Sequence, residues 1–127
     1  MAGVVKSKDT ELASTIATVT GFGCTVTEVP QNATAPFFVV HPIATTEFNS
    51  TIGDPNSLAE LMYQVDTVGV SVEQVEEAEY RMMNAVNLNW SDIETVIGPP
   101  SIRRSGTVRE DDRTYKSMSI ICLKVSS

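Results

Sequence analysis

Between Leu61 and Val86 the spacing of apolar residues changes period. Met62, Gln64 and Asp66 alternate with Tyr63, Val65 and Thr67, and alternation at period two predicts a β-strand, here over residues 59–68. Gly69 interrupts it. Beyond the glycine, Val72, Val75, Ala78, Met82, Ala85 and Val86 recur every three or four residues, against Glu73, Glu76, Glu77 and Arg81. That is the stripe of an amphipathic helix. Ser71 and Gln74 have the spacing of a capping box, in which the hydroxyl accepts the amide three residues on and the glutamine reaches back. The glutamates of the first turns lie where the positive end of the helix dipole favours carboxylates. The segment therefore predicts a strand, a tight turn and a capped helix, with Val75, Ala78 and Met82 seated on a sheet near Tyr63 and Val65.

The flanking pattern is weaker. Leu12, Ile16 and Val19 fall on one face of a first helix, capped by Asp9 or Thr10 and ended by Gly21 or Gly23; Thr15, Thr18 and Thr20 are poor helix formers within it. A strand over 24–29 stops at Pro30, and 31–35 reads as a loop. Residues 37–40 are continuously apolar, as in a strand buried on both faces. Pro42 limits ladder pairing, so 43–48 is a bent continuation or an edge. Residues 49–57 carry Gly, Asp-Pro, Asn and Ser, each a turn former. Met82 and Met83 read as core filler and flank, and Trp90 as a packing aromatic. The β-branched run 93–97 predicts a strand that Gly98-Pro99-Pro100 breaks and 102–108 resumes; 109–113 is a charged turn, and the alternation over 115–125 closes a sheet. Helix, strands, helix, strands predicts an α+β fold: a mostly antiparallel mixed β-sheet, two main helices packed on one face, and a long β-hairpin near the C-terminus.

With 127 residues, 42% of them hydrophobic, the chain suffices for one core, so residues 1–127 are expected to form a single domain. No run approaches the roughly 18 apolar residues of a membrane span, and the first residues lack the apolar centre of a secretory signal. The two cysteines, Cys24 and Cys122, are too few for a disulfide framework or a zinc site and read as buried, reduced thiols. Acids outnumber bases 16 to 9, for a net charge of −7. That argues against a nucleic-acid-binding module, which needs clustered cations to release counterions. The charge is unevenly spread. Four glutamates fall within 71–79, while Arg103, Arg104, Arg109, Arg113 and Lys116 crowd one later segment. Ordinary solvated faces would look like this, and so would two patches that pair between neighbouring copies of a heterologous ring.

Catalytic patterns are missing from the sequence. The single histidine, His41, precedes a proline in an apolar strand with no nucleophile motif beside it, and reads as structural. HExxH, GxSxG, GxxxxGK and GxGxxG do not occur; Gly21-Phe22-Gly23 lacks the third glycine of a phosphate-binding turn. Glu110, Asp111 and Asp112 could hold a hard cation in principle, but Arg109 and Arg113 flank them. No catalytic, cofactor or metal residue is assigned, and no cofactor is expected.

The layout carries a resemblance. A strand reading YQVDTVG, a short turn and a helix opening SVEQVEEAE, preceded by the proline-bounded strand PFFVVHP and followed by a hairpin over roughly 96–125, resemble the tail terminator (tail-completion) proteins of long-tailed bacteriophages. The resemblance implies a non-enzymatic virion protein, assembled in the host cytoplasm, that forms a homohexameric ring at the head-proximal end of the tail tube. Its partners would be further copies of itself, the tail tube protein and a head–tail connector or stopper protein. DNA would pass through the ring without specific binding, and no membrane is involved. Another small head–tail connector, a stopper or adaptor, would share size and context. From other classes, an enzyme would have only His41 and the Asp111-Asp112 pair to work with, and a non-phage adaptor module would bind through an exposed strand edge. Assembly contacts are expected at Thr51, Asp54 and Asn56 in the 49–57 loop and at Arg103, Arg104, Arg109 and Arg113 in the 98–115 hairpin segment, where exposed polar and basic groups gather.

Overall fold

The strand predicted at 59–68 is the centre of the sheet. In a computed structural model that describes residues 8–29, 34–48, 58–93 and 95–126, this strand, β3 (Leu58–Gly69), is hydrogen-bonded along both edges. The strands β1 (Gly23–Val26), β2 (Phe37–Phe48), β4 (Ser101–Arg109) and β5 (Tyr115–Ser126) complete it, in the order β1-β2-β3-β5-β4. Only β1 and β2 run parallel; the other pairs are antiparallel. Two helices, α1 (Asp9–Thr20) and α2 (Val72–Asn89), cover one face, α1 over β1 and β2 and α2 over β3, β5 and β4. The fold is α+β.

Alternation decides which side chains meet the helices. Tyr63, Val65 and Thr67 are buried, as are Phe38 and Val40 on β2 and Ile121, Leu123 and Val125 on β5. Leu12 and Ile16 of α1 and Val75, Ala78, Met82 and Val86 of α2 close over them. Full burial of side chains of this size stabilises by roughly 1.5–3 kcal/mol each. The Tyr63 hydroxyl, deep in the core, accepts the Lys8 backbone N–H at 2.6 Å and so is not left unpaired.

The start of α2 follows from its sequence with one displacement. Ser71 is extended and its hydroxyl accepts the Gln74 N–H at 3.1 Å, while Gln74 Oε1 reaches back to the Val70 N–H at 2.7 Å, one residue before the cap. A Cβ at position 69 would come within 2.9 Å of both Gln74 and Val75, so only glycine lets the strand end this close to the helix. Ser71→Ala should lower stability by about 1 kcal/mol; a denaturant midpoint moving at unchanged slope is the check.

Other expectations need correction. Lys8 occupies the capping position of α1 and has no side-chain oxygen to offer; Asp9 is already helical and its carboxylate accepts the Thr10 N–H. Gly21 does end the helix, in the left-handed conformation, with its N–H on Ala17 O. Val19 and Val72, placed on the apolar stripes, are exposed. β1 stops at Val26 because Thr27 turns to a φ of 61°. β2 runs on through Pro42 with a register shift between Pro42 and Ala44, and beyond Val40 its outer edge has no strand partner among the described residues. The described residues of 93–97 form no strand. A 3₁₀ turn (Trp90–Asp92) follows α2, the Ile93 and Val96 N–H groups bond Trp90 O and Ile93 O, and Thr95 has a φ of 69°. Among the described residues there, only Val96 bridges to Val125 and only the Ile97 N–H reaches Lys124 O. Local turns have consumed the donors a strand would need.

Candidate functional site

The inward face of β5 departs from an apolar pattern at two places, Ser117 and Ser119, both fully buried. Buried hydroxyls need partners. Glu79 of α2 supplies one: its carboxylate, 1% exposed, accepts Ser117 Oγ at 2.6 Å and Ser119 Oγ at 2.7 Å on Oε2, and Arg104 Nε of β4 at 2.5 Å on Oε1. Thr67 and Thr107 flank Ser117 in register, and their hydroxyls are buried with no hydrogen-bond partner among the described residues. A polar seam thus runs across three strands beneath α2. A buried ion pair of this kind adds little net stability over an apolar contact, but it permits one seating of the helix on the hairpin.

This seam divides the arginines that the sequence groups together. Arg104 faces the helix layer, whereas Arg103, its neighbour on β4, points to the opposite, helix-free face and is exposed. A charge reversal at Arg103 would meet only exposed surface, whereas at Arg104, itself partly exposed, it would also strike the partner of a buried carboxylate. Arg109 Nη2 lies 3.3 Å from Asp112 Oδ1. Arg113 is exposed, and its backbone N–H on Asp111 Oδ1, with help from Thr114, holds that carboxyl below the usual range. Lys116 is paired at 2.5 Å with Glu110, which raises its pKa. Each carboxylate of the 110–112 turn already faces a donor, so the turn is closed on itself. Thr51, Asp54 and Asn56 lie outside the described residues.

On the helix-free face, a groove of about 330 Å³ crosses β2 and β3 over Val39, Asp66 and Val68, between Val29 on one side and Thr114 and Lys116 on the other. His41 Nε2 lies 3.2 Å from Asp66 Oδ2, and Gln64 Nε2 donates to Asp66 Oδ1 at 2.9 Å. The His41–Asp66 contact ties β2 to β3, and the Gln64 bond, within β3, fixes the carboxylate that orients the imidazole; among the described residues no serine or cysteine is bonded to it. Cys24 is held protonated by burial, its pKa pushed up to about 12. Burial also raises the Cys122 thiol. Among the described residues no three His, Cys, Asp or Glu side chains are placed to share a metal ion, and no helix is long and apolar enough to cross a membrane.

The sequence pointed to the exposed arginines and missed Glu79, which looked like one more glutamate of an acidic helix. The signal was on the other partner: two serines in the buried phase of β5 require a polar group opposite.

No protein-family profile matches the chain, and no curated protein does. Among solved structures, a chain of the virion of a native gene transfer agent (GTA) particle is similar in fold: the TM-score is 0.50 at 11% identity, over 91% of this chain and 84% of that one. At this identity the likeness is one of fold.

Proposed function

We propose that the chain is a virion structural protein that closes the head-proximal end of a phage tail tube as a ring of six copies. The observation that carries the reading is a fold shared, over nine-tenths of the chain, with a component of a virion. The order of elements, with its proline-bounded strand, capped helix and final hairpin, supports the finer assignment to the tail terminators by resemblance. A tube that grows by stacking rings stops when its last ring is covered by one whose upper face differs from its lower. A subunit with a helix layer on one side and a bare sheet on the other has two unlike faces to offer. A net charge of −7 suits a channel through which DNA slides without sticking.

Binding through a strand edge is less well supported. The free edge of β4 carries Arg103, Arg104 and Arg109 and a bulge between Arg104 and Thr107, and that of β2 carries Pro42 and a bulge. Such features discourage strand addition. Another connector protein remains the neighbouring reading, and affinity for the tube's end separates the two. Electron microscopy of assembled tails should show six copies at the head-proximal end, bound directly to the tube; their absence from the tail, or a multiplicity of twelve, would refute the assignment.

A further inference from the structure

The geometry points to a specific contact between copies: the outer face of α2 on one subunit docks on the helix-free face of the sheet of the next. Glu73, Glu76, Glu77, Tyr80, Asn84 and Leu88 recur at three and four residues on the side of α2 away from its own core. Within this polar stripe Tyr80 and Leu88 are 66% and 79% exposed. Leu88 and the exposed Val19 of α1 also line a shallow groove between the two helices. Leu88 and Val19 thus make one exposed apolar patch, and such patches mark contacts.

The sheet presents the complementary problem. Helices cover only one of its faces, and the uncovered face of an antiparallel sheet is ordinarily polar. Here the register puts Met62, Met118, Ile120 and Cys122 on that uncovered face, with Val108 beside Lys116. Met118 and Val108 are exposed, and Arg103 stands at the margin with no ion pair among the described residues.

Three arguments make a second copy the occupant. Both surfaces are semi-apolar and, among the described residues, uncovered on the same chain. They lie on opposite sides of a two-layered subunit, so one copy can bind a neighbour on each side and the contact repeats. Their charges differ: the α2 face carries Glu73, Glu76 and Glu77, whereas the register puts Arg103, Lys116 and Lys124 on the uncovered sheet face against Glu60 and Asp66, a balance of opposite sign. The contact is therefore heterologous, the kind that closes into rings. This inference rests on the ring reading and specifies which faces meet within it.

Complementation in solution tests it. The wild-type chain, at up to millimolar concentration, should assemble beyond a dimer in sedimentation. Tyr80→Lys with Leu88→Lys removes the helix face and leaves the sheet face; Arg103→Glu with Met118→Glu does the reverse. Each variant alone should be monomeric. Their equimolar mixture should form a one-to-one dimer and nothing larger, because only one intact contact can be made. All four positions are exposed, and circular dichroism confirms folding; Tyr80→Ser with Leu88→Ser and Val108→Ser with Met118→Ser repeat the test if either first variant misfolds. A wild-type chain that stays monomeric, a single variant that still assembles, or a mixture that stays monomeric or grows past a dimer overturns the docking. Six-fold rings in particles whose contacts lie elsewhere would remove this inference and leave the ring standing, whereas a head-to-tail dimer from a chain absent from tails would do the opposite.

Discussion

Arg104→Glu should destabilise the fold by about 3–5 kcal/mol, the range for breaking a buried ion pair from one side. The two partners are unequal. Arg104 keeps 41% of its side chain in solvent, so losing Glu79 would leave a hydrated guanidinium. Glu79 is almost wholly enclosed, and without Arg104 its carboxylate keeps only the Ser117 and Ser119 hydroxyls. A second carboxylate in place of the guanidinium adds repulsion where little water can screen it. Against a total stability of roughly 5–15 kcal/mol for a domain, such a loss removes a large fraction. Arg103→Glu, one residue away but on the bare face, should change stability by no more than about 0.5 kcal/mol. Denaturant titration of the two variants side by side decides the matter; equal midpoints would show that the Glu79 contact does not hold the hairpin. If the proposed contact holds, impaired assembly would then have separate meanings at the two sites, a lost fold at Arg104 and a lost contact at Arg103.

Met82→Ala should cost about 2–5 kcal/mol. Met82 is fully buried at the middle of the α2 stripe, within the same cluster as Tyr63, Val65 and Ile121. Truncation removes the transfer energy of the side chain and leaves a cavity between the sheet and a helix whose preceding turns are held by the Ser71 cap and the Glu79 seam, so little collapse can fill it. The neighbouring Met83, only partly buried, is the control and should cost less than half as much. Similar losses at both would mean that the helix is rotated from the seating described.

Where a residue's neighbours in sequence determine its surroundings, the sequence was legible. β3, α2, its Ser71 cap and the alternation of β5 all follow from spacing alone, and so does the Gly21 terminus of α1. Legibility failed where a distant partner decided. The run 93–97 has the composition of a strand, yet α2 passes directly into a 3₁₀ turn that spends its donors locally and leaves Ile93 as a buried plug. The parallel pairing of β1 with β2 depends on how α1 sits, which no periodicity records. Arg103 and Arg104 are adjacent letters on opposite faces of a strand, and only the glutamate 25 residues earlier distinguishes them. The candidate contact residues divide the same way: exposure of the arginines was foreseeable from charge, whereas the apolar residues Tyr80, Leu88 and Met118 on the outer surfaces look like core until the phase of each element is known.

The position of β3 between β2 and β5 also orders events during synthesis. Its first edge partner precedes it in the chain, but the second begins at Tyr115, after α2 and β4 have been made. Until β5 leaves the ribosome, the middle strand has one edge open and α2 has only part of its floor, with Glu79 still without either serine. Long-range strand pairing is slow and leaves apolar surface uncovered while it waits. On the proposed ring reading, a nascent copy therefore cannot present its finished faces to a neighbour, and assembly would begin only among chains whose β5 is in place.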